Sequence, residues 1–71
     1  MRLSARNRLP GRVVAINKGE AIANVELDAG GRRIVASITV EAVDDLGLAE
    51  GSEVVAVFKA SDVMIAIEDD A

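Results

Sequence analysis

Two short segments near opposite ends of the chain concentrate hydrogen-bond donors. Ser4-Ala5-Arg6-Asn7 places a hydroxyl, a guanidinium and an amide within four residues. Lys59-Ala60-Ser61-Asp62 places an ammonium and a hydroxyl in a predicted tight turn, whose backbone N–H groups add to the set. A fully deprotonated tetrahedral oxyanion has only lone pairs to offer, so its site is built from hydroxyls, N–H groups, Arg and Lys. Such a donor-only site disfavours phosphate, which keeps a proton near pH 7 and needs an acceptor for it. Taken singly, Arg6 also fits a surface charge, Lys59 a strand-end cation with its stem on apolar surface, and Ser61 a turn residue. The residues alone leave both readings open.

Other chemistries lack their parts. The chain has no His and no Cys. It therefore offers no thiolate or imidazole to a metal, and directly coordinated metal is not expected. Ser4, Ser37, Ser52 and Ser61 have no His to activate them. Lys59 is the one candidate base for a Ser–Lys pair, and nothing in the pattern around it suggests a pocket for a covalent intermediate. The adjacent acids Asp44-Asp45 and Asp69-Asp70 read as solvated surface. No catalysis and no catalytic cofactor are expected. Nucleic acid is an unsuitable partner: single-strand binders stack bases on aromatics, and this chain has Phe58 alone and a net charge of -4.

The elements that must position the two segments are short strands. Period-two alternation predicts a strand over Arg12–Asn17 after Gly11, and a turn at Lys18-Gly19-Glu20. A second strand runs Ala21–Leu27, with Ala21, Ala23, Val25 and Leu27 on one face and Ile22, Asn24 and Glu26 on the other. Asp28-Ala29-Gly30-Gly31 is a hairpin signal. Arg32–Thr39 returns with Ile34, Ala36 and Ile38 inward and Arg33, Ser37 and Thr39 outward. Thr39 is a predicted N-cap for a short helix with Glu41 in its first turn and Gly47 as its left-handed end. A fourth strand over Glu53–Lys59, a turn at Ala60–Asp62, a fifth strand over Val63–Ile67 and a solvated tail over Glu68–Ala71 complete the chain. Five strands with a helix between the third and fourth is the order of an all-β, OB-fold-like barrel.

Seventy-one residues suffice for one small domain, which is marginal alone. The apolar fraction of 51% exceeds what so small a core can hide, and disulfides are impossible. A homo-oligomer is therefore expected, and the two donor segments must be brought together by a partner or by closure of the barrel. The start lacks the apolar stretch of a secretory signal, and no run is long enough to span a bilayer, so a cytoplasmic location is expected. Charge is divided: Met1–Val40 carries seven cations against three acids, and Glu41–Ala71 carries Lys59 against nine acids.

The sequence resembles a known family. Ser4-Ala5-Arg6-Asn7, Leu9-Pro10-Gly11-Arg12-Val13-Val14, Ser37-Ile38-Thr39, Leu46-Gly47-Leu48, Glu50-Gly51 and Lys59-Ala60-Ser61-Asp62-Val63-Met64-Ile65 are similar to the molybdenum-pterin-binding (Mop) proteins, or molbindins, which are TOBE-type domains. The resemblance covers roughly Arg2–Ile67 and implies a single Mop/TOBE-type oxyanion-binding domain over 1–71. The implied function is binding of molybdate or tungstate for intracellular molybdenum storage or homeostasis. It implies a homohexamer, a trimer of dimers with strand exchange, holding the anion at subunit interfaces without nucleic acid or membrane. The implied first site comprises Ser4, Ala5, Arg6, Lys59, Ala60 and Ser61, with Thr39 at a position that contacts molybdate in related regulators. Those regulators also use an Arg where this chain has Asp45. A second anion site lined by Asn17, Lys18 and Gly19 is a further implication. The alternative function is an anion-sensing regulatory or assembly module that acts through a protein partner.

Overall fold

Alternating residues in this chain do become strands, because a strand that buries one face hides every second side chain. The computed structural model describes residues 4–69; Met1–Leu3 and the last residues of the expected solvated tail, Asp70 and Ala71, lie outside the described residues. The elements are β1 (Asn7–Lys18), β2 (Ile22–Ala29), β3 (Arg32–Thr39), α1 (Val40–Leu46) and β4 (Glu53–Phe58), followed by a 3-10 turn at Ala60–Asp62. The strands form one antiparallel sheet in the order β3-β2-β1-β4. This element order is the one expected of an OB-like fold.

The core is small. Val13, Ala23, Val25, Leu27 and Val43 are buried, and Ile16, Ile34, Ile38, Val54 and Ala56 pack against them half-buried. The inward faces of β2 and β3 follow the alternation. Val43 plugs the sheet from α1 and is 1% exposed. Burying such a side chain contributes about 1.5–3 kcal/mol.

The punctuation of the chain follows its small residues. Gly30 and Gly31 have φ of 62° and 86°, the pair of positive values that a two-residue hairpin turn requires. The Gly31 N–H donates to Asp28 Oδ1 at 2.8 Å and closes that turn. The Thr39 hydroxyl accepts from the Ala42 N–H at 3.0 Å and caps α1. Gly47, at φ 63°, ends the helix with its N–H on the Asp44 carbonyl.

Two strand expectations are corrected. The first strand starts at Asn7 rather than Arg12, because β1 serves two partners. Its first half, Asn7–Arg12, pairs with β4, and Arg12–Lys18 pairs with β2. Pro10 is tolerated because this half has β4 on one side only. Gly11 is required because a Cβ there would lie 2.9 Å from the Asp28 carbonyl oxygen. Near the start of the β2-paired half the register shifts between Val13 and Ala15. The Val13 N–H donates there to the Ser52 carbonyl and its C=O accepts from the Gly51 N–H, so the irregularity leaves no backbone group of Val13 unpaired.

The second correction concerns the fifth strand. Val63–Ile67 is not paired with any strand, and among the described residues the sheet has four strands rather than five. A strand needs a partner for its N–H and C=O groups, and among the described residues no segment supplies one to Val63–Ile67. The barrel is thus open between β3 and β4, leaving an apolar groove of about 740 Å³.

Candidate functional site

The β1·β4 ladder decides where the donor segments go. Its last rung pairs Asn7 with Phe58. Ser4-Ala5-Arg6 runs into this rung, and Lys59-Ala60-Ser61 runs out of it. Two segments more than fifty residues apart therefore meet at one end of one ladder, inside a single chain. Sequence reasoning found the donor types, the Asn7 amide among them, but missed the pairing of Asn7 with Phe58 that joins the two segments. Both are half-buried, and no alternation in the sequence distinguishes that rung from its neighbours.

The arrangement is open and rich in donors. Ser4, Arg6, Lys59, Ala60 and Ser61 are exposed, and Ala5 is half-buried. Lys59 has extended backbone angles, and from it the 3-10 turn begins. The turn is closed by the Asp62 N–H on the Lys59 carbonyl at 2.9 Å and the Val63 N–H on the Ala60 carbonyl at 3.3 Å. The first N–H groups of such a turn, those of Ala60 and Ser61, have no partner within it. A guanidinium, an ammonium, two hydroxyls and backbone N–H groups thus stand around one ladder end. This set can hold an anion by charge-assisted hydrogen bonds. Asp62, exposed in the same turn, is the one carboxylate within it.

Thr39 lies elsewhere. It pairs with Ile22 at the end of the β2·β3 ladder, close to the rung Lys18↔Ala23, at the end of β1 opposite to Asn7. Within one chain the structure does not bring Thr39 to the Ser4–Arg6 and Lys59–Ser61 cluster. It brings Thr39 to the neighbourhood of Asn17, Lys18 and Gly19. The Lys18 Nζ there makes an ion pair of 3.1 Å with Asp44 Oδ1 on the helix that Thr39 caps. The Gly19 N–H is used by the Ile22 carbonyl at 2.8 Å. The Thr39 hydroxyl, which accepts from Ala42, keeps its own proton to donate. Asp45 is exposed on α1.

A sequence model of the TOBE domain matches residues 3–65. The chain belongs to the TOBE domain family. It is 48% identical over 66 residues to molybdenum-pterin-binding protein 3 of Clostridium pasteurianum, covering 92% of this chain and 97% of the relative. This TOBE chain is also similar in structure to a molybdate-binding protein of Sporomusa ovata. There the TM-score is 0.91 at 37% identity, over 94% of this chain and 100% of that one. A molybdate-bound structure of ModG, described as a cytoplasmic molybdate-binding protein, matches with a TM-score of 0.81 at 44% identity. That match covers 84% of this chain and 43% of ModG. Of the motifs quoted above, the first, Ser4-Ala5-Arg6-Asn7, and the last, which starts at Lys59, meet at the Asn7↔Phe58 end of the β1·β4 ladder. No helix among the described residues is long and apolar enough to cross a membrane.

Proposed function

We propose that this chain reversibly binds molybdate or tungstate, without catalysis, as a cytoplasmic molybdenum store or buffer. The observation that carries the reading is the ladder end at Asn7↔Phe58, where donors from both ends of the sequence stand together. Ser4 and Ser61 offer hydroxyls, Arg6 and Lys59 charge, and Ala5, Arg6 and Ala60 backbone. The metal keeps its four oxygens, and the protein holds those oxygens by hydrogen bonds. The relatives named for molybdenum-pterin and molybdate binding support the choice of anion. Asn17, Lys18 and Gly19, with Thr39 beside them, form the proposed second site. There Lys18 must divide its ammonium between Asp44 and an anion.

The proposed assembly is a homohexamer built from strand-exchanged dimers. A compact monomer of 7.4 kDa exposes about 4,200 Å², whereas this chain exposes 5882 Å². Its radius of gyration, 13.8 Å, also exceeds the roughly 11 Å of a compact domain of this length. The excess surface is apolar in part: Met64, Ile65 and Ile67 are 93%, 87% and 88% exposed. Isothermal titration with molybdate, with phosphate as the control, tests the binding. Saturable heat with molybdate and none with phosphate is expected. Absence of heat and of thermal stabilisation with both molybdate and tungstate refutes the reading.

A further inference from the structure

The cations of the proposed anion site have a neighbour on β1. Exposure alternates without a break from Ser4 to Arg8: Ser4, Arg6 and Arg8 are exposed, and Ala5 and Asn7 are half-buried. Alternate residues of an extended chain share a face, so Arg8 stands on the side of Ser4 and Arg6, about 6.7 Å along the strand from Arg6. The other strand of the ladder follows the same alternation. Val55, Val57 and Lys59 are exposed, and Ala56 and Phe58 are half-buried. Arg8 pairs with Val57 on this face, one alternate position before Lys59.

Local structure makes no use of the Arg8 charge. Among the described residues the ion pairs are Lys18–Asp44 and Arg33–Glu26, and the Arg8 side chain makes no hydrogen bond. Its cross-strand partner is apolar. The next cation on this face, Arg12, pairs with Glu53, which offsets its charge. Short of Arg12, β1 has β4 on one side only, so no second strand brings a carboxylate to Arg8. An uncompensated positive charge therefore stands one pleat repeat outside the donor set. That separation lies inside the screening length of about 8–10 Å at physiological salt, so its field reaches the site.

We propose that Arg8 is a steering residue: it draws a tetrahedral dianion to the ladder end of Arg6 and Lys59 and speeds its arrival, and it takes no share in holding the anion once bound. The proposal rests on the anion-binding reading above. A charge that acts through space raises the local concentration of counter-ions and with it the association rate. For a dianion one pleat repeat from a unit charge, Coulomb's law in water gives about fivefold at 0.01 M ionic strength and about two- to threefold at physiological salt. Arg12 gives far less. It lies about 20 Å from Arg6 along the strand, and Glu53 stands opposite.

The test separates arrival from release. Radiolabelled molybdate is mixed with the full-length protein and trapped by rapid filtration at about 0.01 M and about 0.15 M ionic strength. Release is followed after a chase with unlabelled molybdate. Arg8→Gln is expected to slow association about fivefold at the lower salt and about two- to threefold at the higher, with the release rate unchanged. Arg8→Lys keeps the charge and is expected to keep the parent's rates. Arg8→Glu reverses the charge and is expected to slow association by roughly the square of the first factor, about 25-fold at the lower salt. Unchanged association of Arg8→Gln at the lower salt overturns the steering. Faster release from Arg8→Gln with the arrival rate of the parent makes Arg8 a holding residue and overturns it as well. Equal slowing by Arg12→Gln shows an effect of net charge alone and overturns the role of this position. A parent chain that retains no labelled molybdate overturns the underlying reading, and the steering with it.

Discussion

If the ladder end is one site, Arg6 and Lys59 act on the same anion, and removing either must weaken the same binding event. Each supplies a charge-assisted hydrogen bond, generally worth about 1.5–3 kcal/mol. Both side chains are exposed, so water and salt compete for them, and the lower end of that range applies. Arg6→Ala and Lys59→Ala are therefore each expected to reduce molybdate affinity about tenfold, since 1.4 kcal/mol is a factor of ten. The double variant is expected to lose about a hundredfold if the two losses add. Neither residue is in the core, so circular dichroism spectra and thermal midpoints stay close to those of the parent. Titration calorimetry on the four proteins gives the cycle directly. The discriminating result is a split: a tenfold loss with Arg6→Ala and none with Lys59→Ala means that the two segments do not share an anion. The convergence read from the Asn7↔Phe58 rung would then carry no function. Arg6→Lys keeps the charge and loses the guanidinium fork, and an affinity loss between those of the parent and Arg6→Ala would show that geometry contributes as well as charge.

Other expectations follow from single contacts. Gly11→Ala forces a Cβ to within 2.9 Å of the Asp28 carbonyl, a backbone atom that cannot swing aside, and a lowered urea midpoint is expected because the Arg12↔Asp28 rung must shift. Thr39→Ala removes the N-cap of α1 and is expected to cost about 1 kcal/mol, or a drop of about 4–8 °C in thermal midpoint, with Thr39→Ser retaining most of the stability. Asp62→Asn removes the one carboxylate of the 3-10 turn and is expected to raise molybdate affinity about two- to fivefold at low salt, an effect that fades as salt screens the exposed charge.

Much of this architecture was legible where a residue's own chemistry decides the backbone. Gly30-Gly31 had to turn, Thr39 had to cap and Gly47 had to stop α1, because each solves a local problem of φ or of an unpaired N–H. The buried row Ala23, Val25 and Leu27 was legible for the same reason: one face is apolar and the other is not. The start of β1 was hidden because Asn7, Arg8 and Pro10 carry no alternation; only pairing with β4 makes them a strand. The opposite error arose at Val63–Ile67, where an apolar run reads as a strand whether or not a partner exists. The donor types of the candidate site could be read from the sequence. Their convergence could not, since it depends on the register between β1 and β4.

The division of charge along the chain takes its meaning from that register. A net charge of -4 weighs against an anion ligand only if the acids stand near the site. At physiological salt a charge is felt over about 8–10 Å. The ladder brings Arg6 and Lys59, the last cation in the sequence, to the same end of β1. The acids of α1 lie with Thr39 and Lys18 towards the other end of that twelve-residue strand, beyond the reach of screening. Asp62 stands in the 3-10 turn itself, and its side-chain charge opposes the donors around it. The anion that such a site holds most tightly is one whose own charge outweighs that single repulsion and whose oxygens all accept. A dianion without a proton meets both conditions.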